Sequence, residues 1–315
     1  MAVLLAYFSV VLIWATTPLT IQWSSDSLSF IAAVLLRMSL ALLLGLIINL
    51  LLRRKLFAQT NAWQVYAAGA IGIFPNMPVV YWSAQFIPSG LVAVVFAMSP
   101  FVMGLMTFIL LKHNPFTPRR VFALLLALAG LVVIFYHQLQ LNLHSAYGIA
   151  GILLSCFLFS FSSVLVKKLD VKVDAFNQAV GTLLFALPGL MLMWWYMDGQ
   201  IPTAISVKSL VAVGYLSVFG SLLGAALFFY VLAKMSPTAV SLITFMTPVL
   251  ALILGAWVEH ESLNLQLWIG AGLVVFALLL YLDLSSENVF FAALRREAWT
   301  DDGLQDTRHD FHRYK

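Results

Sequence analysis

Charge is what this chain has least of. Only 10% of its 315 residues are Asp, Glu, Lys or Arg, against 62% hydrophobic, and the mean hydropathy is +0.98. Water-soluble domains carry about 25% charged residues, so a soluble fold is excluded. Cysteine is nearly absent. Cys156 stands alone, which excludes intramolecular disulfides and cysteine-rich metal sites. Acid is missing from the interior of the apolar runs: Asp26, Asp198, Glu259, Glu261 and Asp283 all lie at run ends. There is no H-E-x-x-H motif, no pair of intramembrane aspartates and no Ser-His dyad at depth. An intramembrane enzyme would need one of these. His260-Glu261 begins like a zinc motif, but Asn264 stands where the second ligand belongs. No metal and no cofactor is expected. The net charge of +4 is not a nucleic-acid signal, because the basic residues follow the ends of the apolar runs.

What the chain does have is apolar runs of ~20 residues, the length that crosses a bilayer core of ~30 Å as helix. They do not alternate as barrel strands would. Ten spans are read, at about 2–22, 28–51, 64–85, 89–111, 121–137, 148–166, 175–196, 209–232, 237–257 and 265–284. The first looks like a signal peptide, but it lacks a basic start and stays apolar through Ile21, so it is read as a span. Charge then sets orientation. Fifteen of the 17 Lys and Arg fall on one side, after spans 2, 4, 6, 8 and 10. Lys208 alone falls on the other, and Arg37 lies within span 2. The positive-inside rule places both termini in the cytoplasm, for a chain in the cell (inner) membrane. Residues 285–315 form a polar cytoplasmic tail, in which Glu287 to Trp299 is read either as a solvated segment or as a short interfacial helix.

The chain also repeats itself. Ser89 to Tyr136 resembles Pro237 to Leu284 in pattern, and Met98-Ser99-Pro100 falls on Met246-Thr247-Pro248, 148 residues later. The domains read as 1–137 and 148–284. A repeat of five spans must alternate in orientation. The expected fold is therefore an all-α membrane protein of ten transmembrane helices in two inverted five-helix repeats. That plan recurs in secondary transporters, with the substrate near the midplane.

Particular residues carry a family likeness. Ala239, Pro248, Glu261-Ser262-Leu263-Asn264 and Gly270-Ala271-Gly272 follow the pattern of the drug/metabolite transporter superfamily, in its EamA-type ten-span branch. Gly214 to Ser221, Phe229-Tyr230 and Lys234 to Pro237 look like that family's span 8, and Trp14 and Arg37 also fit. The likeness covers residues 1–284. The first half departs from it, with Lys112-His113-Asn114 in place of a glutamate hinge and Ala123 in place of glycine. The resemblance implies export or exchange of small metabolites such as amino acids, drugs or nucleotide sugars, without saying which.

Candidate site residues come from depth and polarity. Prolines within spans free a carbonyl four residues earlier, and at membrane depth such a carbonyl must face protein or a watered cavity. Pro75 and Pro78 disturb span 3, and Pro100 and Pro248 break spans 4 and 9 at matching positions; these four are the expected hinges. Asn76 and Gln178 each carry an amide that must find partners. Ser99, Ser160, Thr244 and Thr247 are polar at depth, although such hydroxyls often bond back to their own helix. Trp14, Tyr81, Trp82 and Tyr230 supply aromatic walls, and Trp14 is too deep for the interfacial belt. Arg37 is the costliest residue, since a central arginine costs ~3 kcal/mol on insertion scales. It either faces a cavity and attracts a carboxylate or phosphate, or snorkels, or holds a broken neighbouring helix.

The leading expectation is an exporter or exchanger of small organic metabolites that works by alternating access through a central cavity. Its partners are a small-molecule substrate and the lipid bilayer; the pattern assigns no oligomeric state. The alternative is a membrane receptor or assembly subunit on a duplicated scaffold, and the short loops speak against it. Without acid at depth, facilitated exchange is expected ahead of strict proton coupling.

Overall fold

The computed structural model of the protein describes residues 2–87, 92, 95, 96, 98–135, 143–200, 204–247, 249, 250 and 265–282. Pro248, the acidic hinge at Glu259 to Glu261 and the tail from 285 onward lie outside the described residues. Every element among the described residues is helical. Spans 1 and 2 are α1 (Ala2–Ser24) and α2 (Phe30–Leu51). Span 3 is split into α3 (Ala62–Ala70) and α4 (Asn76–Ser83). Then come α5 (Ser99–Leu111), α6 (Pro118–Phe135), α7 (Leu143–Leu169) and α8 (Ala175–Met197). Span 8 is α9 (Val207–Tyr215), a π segment (Leu216–Leu223) and α10 (Gly224–Lys234) without interruption. α11 (Pro237–Ser241) opens an apolar run that reaches Thr247, and α12 (Leu265–Leu282) closes the described chain.

Among the described residues, five helical stretches are long and apolar enough to cross a bilayer unaided: Ala2–Ser24, Phe30–Leu51, Ser145–Leu169, Ala175–Met197 and Val207–Lys234. Shorter apolar helices lie at Ser99–Leu111, Pro237–Thr247 and Trp268–Ala277. Helix is the expected backbone here, because in lipid each N–H and C=O must be satisfied within the segment. Polar caps start several of these helices. The side chains of Ser29, Asp174, Ser206 and Ser236 accept from the backbone N–H three residues on. Pro237 follows its cap directly, where a missing N–H costs nothing. The outer faces stay apolar. Leu50, Trp195 and Tyr196 are 79%, 74% and 91% exposed, a surface that suits lipid rather than water.

The packing respects the duplication. α6 and α12, the last spans of each half, make the most extensive pair, and α2 packs on α8 as the two second spans. α3 packs on α8, and its counterpart, α9 running into the π segment, packs on α2. α4 packs on α7, and α10 packs on α1. Exchanging the halves maps each of these pairings onto another or onto itself, which is the signature of a two-fold. Buried hydrophobic residues fall into several clusters around this frame. One joins Leu124, Leu131, Ile152, Phe245 and Val274; another joins Val34, Met38, Leu183 and Leu216; a third joins Val10, Val11, Phe228 and Ile243.

One helix breaks within this frame, and one changes its winding. After α3 the chain makes turns over residues 71–75, with a cis Phe74–Pro75 peptide, and re-enters helix at Asn76. The π segment lies over the matching stretch of the second half, and Gly72 and Gly220 are 148 residues apart. A π segment widens the ring of backbone bonds and is common at functional sites. No proline prompts it in Leu216–Leu223.

Candidate functional site

The break in span 3 and the π segment of span 8 face a cavity of about 220 Å³. Its walls come from both halves. α1 contributes Trp14, Thr17, Pro18, Ile21 and Gln22, and α2 contributes Arg37 and Met38. Span 3 contributes Gly69, Gly72, Ile73, Asn76, Met77, Val80 and Ala84, and span 4 Val92 and Phe96. Phe159, Ser162 and Ser163 come from α7 and Thr182 from α8. Gly220, Ser221, Ala225, Phe228 and Phe229 come from span 8, and Thr244 and Thr247 from the run after α11.

Arg37 is the one charged side chain among the described residues of that wall. It is 4% exposed, and no carboxylate pairs with it among the described residues. Its Nε donates to Ser221 Oγ at 2.7 Å, and Nη1 donates to Tyr81 Oη at 3.2 Å. These bonds hold the guanidinium across the gap between α2, α4 and the π segment. Gly220 makes the room: a Cβ there would lie 3.1 Å from Arg37 Nη2. A buried cation without a counter-charge is costly unless water or a ligand supplies one.

Next to it stands an aromatic wall. Trp14 stacks on Phe228 with ring centroids 5.3 Å apart and meets Phe159 edge-on at 6.0 Å. Phe159 and Phe228 are 5.3 Å apart in turn. On the span 3 side, Asn76 is pinned at both ends of its amide. Nδ2 donates to Gly72 O at 2.9 Å, and Oδ1 accepts from Ser155 Oγ at 2.6 Å. It thereby caps a carbonyl that the break leaves without a helical partner. Ser162 Oγ donates to Ala68 O at 2.7 Å and Gly69 O at 3.2 Å, filling the same need from α7.

Of the residues expected from sequence, Trp14, Arg37, Asn76, Thr244 and Thr247 line the cavity together. Tyr81 stands behind Arg37 as its partner. Gln178 is buried behind Gly69, donating to Val65 O at 2.7 Å and to Thr182 Oγ1 at 3.3 Å. Trp82 packs on Phe86, and Tyr230 on the cluster around Val10. Ser99 donates to Cys156 Sγ at 3.3 Å, and Ser160 is buried with no partner for its Oγ among the described residues. Pro75 caps α4 and Pro78 lies in its first turn. Pro100 sits in the first turn of α5 rather than mid-helix, so it costs that helix no hydrogen bond. Sequence reasoning did not single out Thr17, Gln22, Ser162, Thr182 or Ser221. Ser221 could have been found as a hydroxyl beside the G-x-x-x-G of Gly220 and Gly224.

The ends of the cavity differ. One end reaches Gln22 and Ala84 at the ends of α1 and α4. Towards the basic loops its lining stops at Gly69, Ser163, Thr182 and Phe229, a turn or more inside their helices. Beyond it, contacts tie the loops and helix ends together. Arg54 pairs with Asp174 at 3.1 Å, Tyr66 Oη donates to Leu56 O at 2.5 Å, and Gln59 donates to Lys172 O. Lys167 Nζ donates to Leu232 O and Ala233 O, each at 2.9 Å, closing the end of α10.

Comparison with known proteins decides the class. The chain matches the EamA-like transporter family twice, over residues 1–136 and 146–282. It belongs to the EamA-like transporter family. It is thus a membrane transporter rather than an enzyme, built from two EamA-like domains. It is 28% identical over 288 residues to the uncharacterized inner membrane transporter YedA of Escherichia coli (strain K12), covering 87% of this chain and 89% of that one. It is 26% identical over 275 residues to protein PecM of Dickeya dadantii (strain 3937), covering 87% and 90%. The uncharacterized transporter YvbV of Bacillus subtilis (strain 168) is 23% identical over 223 residues, covering 70% and 72%. A crystal structure of another protein superposes with a TM-score of 0.72 at 17% identity, covering 93% of this chain and 98% of that one. That likeness concerns the fold.

Proposed function

We propose that the protein exports or exchanges small organic metabolites, amino acids among them, by alternating access through the cavity between two inverted five-helix repeats. In this reading ten helices cross the membrane, residues 1–137 and 148–284 form the halves, and both termini and the tail 285–315 are cytoplasmic. The observation that carries it is the cavity itself. It lies where span 3 of one half breaks and span 8 of the other turns to π-helix, with counterparts Gly72 and Gly220 in its wall. Broken helices at a repeat interface are where secondary transporters hold substrate.

The orientation read from charge gives the present state. The tied end carries Arg54, Lys167 and Lys172, so it is the cytoplasmic end. The end at Gln22 and Ala84 is then the outer one, and the cavity faces outward. Inward opening requires the ties at Arg54, Tyr66, Gln59 and Lys167 to release. Arg37, Trp14, Asn76, Thr244 and Thr247 are the residues placed to meet substrate. Pro75, Pro78 and the turn between α3 and α4 are placed to flex.

The test is flux in proteoliposomes of purified protein, with labelled amino acids, nucleotides and hydrophobic amines, with and without a pH gradient. Saturable flux of one class, lost in Trp14→Ala with folding intact, is the expected result. Flux that appears only with the gradient would replace exchange by proton coupling. Folded protein that moves none of these compounds would turn the reading towards a receptor or assembly subunit.

A further inference from the structure

We propose that the cavity holds a built oxyanion subsite at Arg37, so that its substrate is a small organic acid with an apolar body rather than an organic cation. This rests on the transport reading above and narrows it to a substrate class. The shared chemistry is a carboxylate, phosphonate or sulfonate head; an amino acid qualifies through its carboxylate.

The argument begins with unused donors. A guanidinium has five N–H groups. Ser221 takes Nε and Tyr81 takes one N–H of Nη1. Nη2 and the other N–H of Nη1 have no partner among the described residues, although Arg37 is 96% buried by its 4% exposure and lines the cavity. The two existing bonds fix the plane of the fork. An oxyanion can take the remaining donors without further ordering of the side chain. Gly220 keeps that approach clear, since a Cβ there would stand 3.1 Å from Nη2.

The rest of the wall fits the same substrate. Trp14, Phe159 and Phe228 form an apolar face for a body of limited size. No Asp or Glu is among the described residues that line the cavity. An ammonium entering it would lack a carboxylate and would meet a fixed guanidinium, whereas an acid supplies the counter-charge that Arg37 lacks. Like charges a few ångströms apart in a dry site repel strongly.

The experiment uses three probes that share one body: phenylpropionate, phenylpropanol and phenylpropylamine. Binding to, and flux through, the full-length protein are measured in nanodiscs and proteoliposomes, with folding checked by gel filtration. A charge-assisted head should favour phenylpropionate over phenylpropanol by about tenfold, with the amine weakest. Arg37→Gln should level acid and alcohol, because the acid loses most. Where Arg37→Gln fails to assemble, Gly220→Ala carries the test: it should weaken the acid several-fold more than the alcohol. Equal binding of all three in the wild type, preference for the amine, or an acid preference that survives in both variants would overturn the proposal. Flux of the alcohol or amine without acid preference sinks the oxyanion subsite alone. Folded protein that neither binds nor moves any probe sinks the subsite and counts against the carrier reading as well.

Discussion

Count eight residues on from the caps of α2 and α8. From Ser29 the position is Arg37; from Asp174 it is Thr182. Both side chains line the cavity, and each packs against a glycine of the opposing span. Arg37 lies against Gly220, and Thr182 against Gly69. The two halves therefore present the same backbone arrangement with different chemistry. On one side the polar groups satisfy each other: Gln178 donates to Thr182 and Val65, and Ser162 to Ala68 and Gly69. On the other side a cation is held by two neutral partners and keeps donors in reserve. Duplication supplies a frame with a seam, and in the proposal above the unmatched charge at that seam supplies the preference for a substrate.

Moving the charge across the two-fold should break this comparison most severely. Thr182 Oγ1 already crowds the place a Cβ of Gly69 would take, so the wall there has no room for a guanidinium. Thr182→Arg should cost about 3 kcal/mol or more, from overpacking and an unpaired buried charge. Loss of the monodisperse peak after detergent extraction is the readout, and a stable, active Thr182→Arg protein would show that the halves are interchangeable. A smaller effect separates the two glycines. Gly69→Ala pushes on Thr182 and Gln178, which are packed and bonded, and should lower stability by about 1–3 kcal/mol. Gly220→Ala meets the far end of an arginine and should leave the melting temperature close to wild type. Equal destabilisation by both would contradict the asymmetry. The smallest effect belongs to the surface tie. Arg54 and Asp174 are 43% and 54% exposed, so Arg54→Ala should change stability by under about 1 kcal/mol, and less still at high salt. A clear loss of stability in thermal melts at low salt would mean that the pair holds the tied end by itself.

Much of this was legible before any coordinates. Low charge and long apolar runs set the membrane class, and the family likeness of spans 8 to 10 agrees with the double match over residues 1–136 and 146–282. Particular residues show where legibility stops. Arg37 and Asn76 stood out because each is expensive at depth. Ser160, Ser162 and Ser163 are neighbours on one helix, and only their facing distinguishes them. Ser162 and Ser163 line the cavity and Ser160 does not. These helices are apolar on nearly every side, so no periodicity marks the inward face. The π segment carries no proline and packs against α2, a contact that local sequence does not record. Pro100 illustrates the opposite problem: a strong local signal whose meaning depends on where the helix begins.

The most direct measurement needs no knowledge of the substrate. Cys156 is fully buried, so polar thiol reagents are expected not to label it. Ala225→Cys, one turn beyond Ser221, and Thr247→Cys, on a different span, each place a single reactive thiol in the cavity wall. Each is labelled in membranes with thiol reagents of equal size that carry a sulfonate or a trimethylammonium. The sulfonate should react several-fold faster at Ala225→Cys, by attraction to Arg37, and the ratio should fall towards one when Arg37→Gln is added. At Thr247→Cys the ratio should lie closer to one from the start. A rate ratio at Ala225→Cys that is the same with and without Arg37, or thiols that react from neither side of the membrane, would contradict an aqueous cavity governed by one charge.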